Sequence, residues 1–495
     1  MTRNRYLRAA VPVCTLLVLS SLTFQRCNGG ASRPKGVHHV ILIVVDTLRA
    51  DALSCYGGEG AQTPHIDELA SDSIVFTQAR AASSWTLPSM ASIMTGMPVA
   101  VHRVFKGSSV LPRNLPTIAS HMRDAGYRTA SAGMNGYLKA RTRINRGFQE
   151  HHFPVHFWFE GFGFERPDLS WLKRFENKRR YNSTPYVTGF ARRWLDRHHD
   201  EDFFLWLHYY DPHGPYYPPP RLMPEGPRPR GAPRIVHKRK DARRARNPAQ
   251  RQWVEDLYLG EVRWIDEHIG RILDHLEEHD IYDDALIVFT SDHGEEFWEH
   301  GGYEHGHSLV DEVIHVPLMV KLPARMQRSA AAGGCTGSGK RGDVDDRVDE
   351  FVTNMGIMPM ILDVCGVDDY DPHLASHSLS PYVGLGEIEQ PRPPIFAGGM
   401  LYGKDKEMVL ADGMKYIFRT SSGKASIVNL LEDPEEKEKL SDPDGELAAR
   451  GEELLDAHHA LAGKLRREYD IGAEGEEEKL DKETIEELEA LGYVL

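Results

Sequence analysis

The chain has 495 residues, 41% of them hydrophobic, enough for one large α/β domain and a smaller companion. Its 59 Lys and Arg against 73 Asp and Glu give a net charge of −14, which argues against non-specific nucleic-acid binding. Five cysteines (Cys14, Cys27, Cys55, Cys335, Cys365) are too few and too scattered for a disulfide framework.

At the N-terminus, Arg3, Arg5 and Arg8 precede an apolar run from Ala9 to Phe24, and Gly29, Gly30, Ala31 and Ser32 follow. That is the order of a secretory signal, so residues 1–36 read as a signal peptide or anchor and its linker. The expected location is outside the cytoplasm: periplasmic, extracellular, or membrane-associated through an uncleaved N-terminal segment. Next comes an unbroken apolar run from Val40 to Val45, suited to a central parallel strand covered on both faces and ending in Asp46. Ligands in such sheets gather beyond the carboxyl ends of strands, which puts Asp46 at a candidate active edge.

Thr63-Pro64 opens a helix, and the stretch from Ser83 to Gly96 reads as a sharp turn into another, with Pro88 in its first turn and Gly96 as its C-terminal cap. Thr86 then stands at a helix start, where free N–H groups welcome an anion, although a capping role would suit a threonine equally. Leu115 to Ala125 is amphipathic, and Gly126-Tyr127 turns into a further strand. Phe203 to His208 is another buried strand, running into Asp211-Pro212-His213. Eleven Arg and Lys against two acids between Arg221 and Arg251 mark a basic insertion. From Val254 to Leu276 apolar residues recur at helical spacing. They lead to the strand Leu286–Thr290, which ends in Ser291-Asp292-His293-Gly294. His315 to Val320 is expected as one more strand, and 324–348 as a surface loop. The predicted fold is α/β, a large mostly parallel sheet flanked by helices over 37–393. Met408–Leu410 and Lys415–Phe418 suggest short antiparallel strands in a small C-terminal α+β subdomain over 394–495, with an acidic helical tail.

Asp46, Asp292, His293 and Thr86, gathered at one sheet edge, form an O/N donor set for a divalent cation. Such a cation lowers the pKa of a hydroxyl, which lets a threonine attack at neutral pH. These residues lie in motifs that resemble the sulfatases of the alkaline-phosphatase superfamily. The matching pieces are Ile43-Val44-Val45-Asp46-Thr47-Leu48-Arg49-Ala50-Asp51 with Cys55-Tyr56-Gly57, Thr63-Pro64-His65-Ile66-Asp67, and Thr86 to Gly96. Further along come Ala125-Gly126-Tyr127-Arg128-Thr129, Asp211-Pro212-His213-Gly214-Pro215-Tyr216 and Thr290-Ser291-Asp292-His293-Gly294-Glu295. The set ends in His315-Val316-Pro317-Leu318, Asp412-Gly413-Met414-Lys415-Tyr416 and Leu430-Leu431-Glu432-Asp433-Pro434.

The resemblance implies that Asp46, Asp292 and His293 hold the metal, with Thr86 as nucleophile and also touching it. It implies that His213 contacts the bound oxyanion or leaving group. His307 falls near the family's anion-binding lysine, and Asn135 near another basic position. Asp211, His213 and His307 are also candidates for a second cation. The sequence departs from the sulfatase pattern where Cys-x-Pro-x-Arg becomes Thr86, Pro88 and Met90. Threonine carries a methyl on Cβ and cannot yield the formylglycine aldehyde, so no formylglycine is expected. Thr47 replaces a second metal-binding aspartate, and the less anionic set suits Zn or Mn as readily as Ca. The implied function is metal-dependent hydrolysis of an anionic ester, small molecule or glycan, leaning to phosphate or phosphonate. The alternatives are an aryl or carbohydrate sulfatase and a catalytically silent binder of anionic glycans.

Overall fold

A computed structural model describes residues 36–153, 183–234, 245–326, 346–388, 390–442, 445–480 and 485. The expected export segment before Gly36, residues 235–244 of the basic insertion, 327–345 of the 324–348 loop and nearly all of the tail after 480 lie outside the described residues.

Eight strands form the large sheet: β1 (His39–Val45), β2 (Ile74–Phe76), β3 (Arg128–Gly133), β4 (Glu150–His152), β5 (Phe203–Tyr209), β6 (Ala285–Ser291), β7 (Leu318–Lys321) and β8 (Arg347–Val348). Their order is β8-β2-β7-β6-β1-β5-β3-β4. β1 lies between β5 and β6, parallel to both, and among the described strands of this sheet only β7 runs antiparallel to its neighbours. The strand expected from His315 starts at Leu318, because Pro317 has no N–H to give a ladder. His315 makes only an isolated bridge to Arg80.

The unbroken apolar run of β1 is explained by what covers its two faces. Val40, Leu42 and Val44 point into one core, with α2 (Thr86–Thr95), α3 (Ile118–Asp124) and α6 (Ile357–Cys365). Ile41, Ile43 and Val45 point into the other, with α1 (Pro64–Ser71), α4 (Thr184–His198) and the long α5 (Pro248–Glu278). A period of two over a doubly covered strand leaves no position for a polar residue until the strand ends. That end is Asp46. The described part of the basic insertion lies along α5: Gln250 donates to Arg230 O, Trp253 to Pro233 O, and Arg221 pairs with Glu267.

The C-terminal part is an antiparallel sheet of β9 (Ile395–Ala397), β10 (Lys406–Ala411), β11 (Met414–Arg419) and β12 (Ala425–Asn429), followed by helix α7 (Glu446–Glu468). Val409, Tyr416, Phe418 and Ile427 face α7, whereas Met408, Leu410 and Val428 join the core of the large sheet. A buried ion network also crosses this junction. Arg80 Nη2 lies 2.6 Å from Asp311 Oδ2, and Lys415 Nζ lies 2.7 Å from Asp311 Oδ1 and 2.9 Å from Glu436. Burial alone would raise the Asp311 carboxyl, but Arg80 and Lys415 outweigh it and hold it well below the usual carboxylate range.

Asp311→Ala leaves two buried cations, Arg80 and Lys415, without their shared anion. The expected loss is about 3–5 kcal/mol of folding free energy, read as a lower urea midpoint at unchanged slope. A depressed folded-state pKa stabilises the fold above the ordinary carboxylate range. That contribution is present at neutral pH and fades as acid titrates Asp311, so the gap between wild type and variant closes on acidification.

Candidate active site

The β1 register sets Val45 opposite both Tyr209 and Ser291, so Asp46, Tyr210 and Asp292 leave the sheet side by side. Asp292 and His293 follow β6, and Asn135 follows β3. Between them stands the start of α2, where Trp85 is extended (φ −160°, ψ 161°) and Thr86 is the first helical residue. Among the described residues no side chain caps this helix, and the Thr86 hydroxyl is turned into the sheet edge. Trp85 Nε1 donates to Gly399 O at 2.5 Å and Ser89 Oγ to Asp292 O at 2.5 Å, tying the first turn to the C-terminal part and to β6. Gly96, at φ +65°, ends the helix in the left-handed conformation that glycine adopts without strain.

Thr86 Oγ1 lies 3.3 Å from His293 Nε2, 3.5 Å from Asp46 Oδ2 and 3.2 Å from Asn135 Nδ2. Asn135 is oriented by its own turn. Its Oδ1 accepts from Tyr137 N, so Nδ2 points at Asp46 Oδ2, 2.7 Å away. His293 is fixed likewise: Nδ1–H donates to Gly294 O at 2.9 Å, and the Nε2 lone pair faces Asp46 Oδ1 at 3.5 Å and Asp292 Oδ2 at 3.6 Å. Asp46, Thr86, Asn135, Asp292 and His293 are all fully buried.

The donor set fits a divalent cation. Asp46 Oδ1 and Asp292 Oδ2 are buried with no hydrogen-bond partner among the described residues, and the ligand atoms of Asp46, Asp292 and His293 lie within 4.8 Å of one another. Burial and the charge of Asp292 push Asp46 well above the usual carboxylate range. Burial would also raise Asp292, but His293 and His208 together hold it below that range. A bound cation reverses this balance by pairing with both anions. Thr47, at the position of a second metal-binding aspartate in the resemblance, is bent into the left-handed region at φ +55°, a costly conformation for a β-branched residue. Its carbonyl accepts from Tyr258 OH on α5, which in turn accepts from Arg49 N.

The remaining predicted residues do not assemble a second cation site. Asp211 Oδ2 accepts from Thr184 N, Thr184 Oγ1 and Ser183 Oγ, so it anchors the start of α4. His307 Nε2 lies 2.9 Å from Glu296 Oε2. Among the described residues, Asp211, His213 and His307 form no group able to share a metal. The ring that faces the site from this loop is His305, whose centroid is 4.5 Å from His293 and 4.9 Å from His213. His305 Nδ1 sits 2.9 Å from Glu295 Oε1, and Tyr216 OH donates to Glu295 Oε2 at 2.7 Å. Gly306 N donates to Ser84 O, pinning the loop beside α2.

His213 is buried, and burial, then His305, lowers its pKa to about 3, so it is an uncharged imidazole at neutral pH. The sequence reading missed His305, Glu295 and His208. His208 Nε2 lies 3.9 Å from Asp292 Oδ2 from within β5, where a run of apolar neighbours hides it. Glu295 carried a signal, lying two residues after His293 in the same motif.

A sequence model of the family described as Sulfatase matches residues 38–367. Human iduronate 2-sulfatase is 25% identical over 350 residues, covering 60% of this chain and 61% of that protein, so the match spans under two thirds of its length. The arylsulfatase of Clostridium perfringens is 24% identical over 449 residues, 81% of this chain and 90% of that protein. In fold, the chain is similar to the phosphonate monoester hydrolase of Agrobacterium radiobacter, with a TM-score of 0.64 at 21% identity, over 87% of this chain and 96% of that one. The matched stretch contains every strand of the large sheet and every residue gathered at its carboxyl edge. On that extent of likeness the chain belongs to the sulfatase family.

Proposed function

We propose that the protein is an exported, metal-dependent hydrolase of phosphate or phosphonate esters with Thr86 as its nucleophile. The observation that carries this reading is the Thr86 hydroxyl itself, uncapped and buried 3.2–3.5 Å from Asp46, Asn135 and His293. A residue with a methyl on Cβ cannot become an aldehyde hydrate, so covalent chemistry here runs through an intact hydroxyl. Export rests on the basic and apolar order of residues 3–24.

Asp46, Asp292 and His293 would hold the cation, which when bound supplies positive charge that eases loss of the Thr86 proton and offsets charge on the transferring group. Thr86 Oγ1 attacks phosphorus, forming a P–O bond as the bond to the leaving alkoxide breaks. Water then attacks the phosphothreonine and restores the hydroxyl. The amide N–H groups at the start of α2 face the anion, as free helix N-termini do. His213 enters the cycle neutral, so it can relay a proton in both steps: from Thr86 to the departing alkoxide in the first, and from the attacking water back to Thr86 Oγ1 in the second. His305, oriented by Glu295, contacts the anion from the position that the sequence assigned to His307. His305→Ala is therefore expected to lower kcat/KM by about 100-fold or more, while His307→Ala leaves it nearly unchanged, in steady-state assays of both variants.

The second reading, a sulfuric ester hydrolase, is favoured by family membership and by the names of the relatives above. A catalytically silent binder is disfavoured by the buried, cation-ready carboxylates of Asp46 and Asp292. The test is turnover of matched aryl sulfate, phosphate monoester, phosphodiester and phosphonate substrates with Zn, Mn and Ca. Phospho-substrates alone turning over supports the proposal. Preferred turnover of sulfate esters overturns it, and absence of all turnover together with absence of bound metal points to the silent binder.

A further inference from the structure

We propose a second metal site, on the outside of the helical layer, in which Asp196, His275 and His279 bind a divalent transition ion such as Zn(II). His275 and His279 are four residues apart at the end of α5, on one face of the helix, and Asp196 is in the last turn of α4. Asp196 Oδ1 lies 2.9 Å from His275 Nε2 and 3.2 Å from His279 Nε2. These separations are close to the ~3.3 Å between donors that tetrahedral bonds of about 2.0–2.1 Å to zinc require. One carboxylate oxygen and two imidazole nitrogens leave a fourth position for water.

Two further observations point to a cation at this spot. The buried ring of His275 has oxygens on both sides: Glu278 Oε2 lies 2.8 Å from Nδ1, and Arg192 O lies 3.1 Å from Nε2, beside Asp196. A neutral imidazole has one N–H. With Nδ1–H donated to Glu278, the Nε2 lone pair faces two oxygens, an arrangement that a cation bound between them would stabilise. The carboxylate on Nδ1 is also the arrangement that fixes the tautomer of zinc-binding histidines. In addition, α4 and α5 both end here, with His199 and His279 as their terminal caps, so the negative ends of two helix dipoles converge on the site. His199 stacks on His279 at 4.2 Å and is itself held by Leu195 O, which steadies the His279 ring.

The site is separate from the catalytic edge. α4 starts at Thr184, bonded to Asp211, and Asp196 stands 12 residues further on, about 18 Å along the helix. An ion there would staple the far ends of two helices that cover the core face behind β1 and β5.

The test is equilibrium dialysis of the metal-stripped full-length protein against Zn(II), for wild type, Asp196→Ala, His279→Ala and Asp292→Asn. Wild type is expected to bind one more equivalent than Asp196→Ala or His279→Ala, or to hold it at least ~10-fold more tightly. Asp292→Asn keeps this equivalent, which separates the outer site from the catalytic one. Asp196 and His279 are partly exposed, so both variants are expected to melt like wild type in EDTA. Equal zinc stoichiometry and affinity in wild type, Asp196→Ala and His279→Ala overturns the proposal. Substitution of Co(II) gives an independent reading: a visible absorption band that Asp292→Asn keeps and His279→Ala lacks supports the site, and one that His279→Ala retains in full overturns it.

Discussion

Thr86→Ala is expected to lower kcat/KM for the preferred phospho-ester by about 10⁴-fold or more, while the protein keeps its fold and its metal. The fold is expected to survive because Thr86 does not cap α2, and the helix is tied instead through Trp85 and Ser89. The metal is expected to remain because Asp46, Asp292 and His293 are untouched. Thr86→Ser keeps a hydroxyl at the same place and is expected to retain most of the activity. Thr86→Cys supplies the residue that formylglycine formation needs, but Met90 still stands where the sulfatase pattern has arginine, so no sulfate-ester activity is expected to appear. Acid quenching during turnover and mass spectrometry of the peptide around Thr86 checks the mechanism directly. A phosphoryl group on Thr86 is the expected adduct. Thr86→Ala retaining near-wild-type turnover would mean that water attacks the substrate without a covalent step.

The second large effect has opposite signs with and without metal. Asp46→Asn is expected to abolish activity by about 10³-fold or more, since it removes a charged ligand from the cation and an acceptor from beside Thr86. In EDTA, however, the same variant is expected to melt higher than wild type at neutral pH. The folded-state pKa of Asp46 is raised, by burial and then by Asp292, so the metal-free fold favours the protonated acid. Its contribution to stability is present at low pH and is lost as pH rises through that raised pKa, which lies above the ordinary carboxylate range. Asparagine carries no charge to bury, and its amide oxygen can still accept from Asn135 Nδ2. With saturating metal the order inverts, because the cation stabilises the paired carboxylates of the wild type by mass action. Differential scanning calorimetry with EDTA and with Zn(II), at acidic and neutral pH, reads all four conditions. A wild type that melts higher than Asp46→Asn in EDTA at neutral pH would show that the two carboxylates are not in conflict.

On the strand side of the candidate site, Asp46, Asp292 and Asn135 each follow a buried parallel strand, Asn135 and Asp292 oriented by the N–H groups of Tyr137 and His293 and Asp46 by Asn135. On its loop side, Glu295 accepts from Tyr216 OH and donates its N–H to Glu312 O, His305 sits against Glu295, and Gly306 is bonded to Ser84, Leu401 and Tyr402.

By itself the sequence determined the strands and what stands at their ends. The runs from Val40 to Val45 and from Leu286 to Thr290 are continuous because both faces of those strands are covered, and that burial is legible as unbroken hydrophobicity stopping at Asp46 and Asp292. The start of α2 was legible through Pro88 and Gly96, and the small antiparallel sheet through Met408–Leu410 and Lys415–Phe418. Only the tertiary structure decided how the hydroxyl of Thr86 points, that Asp211 anchors α4, that β7 is reversed, and that His305 and not His307 faces His293. Strands and helices impose a period that sequence displays. In the loop from Gly294 to Ser308 no period holds, and which histidine turns inward depends on partners at Ser84, Tyr216 and Glu296 that only the folded chain brings within hydrogen-bonding distance.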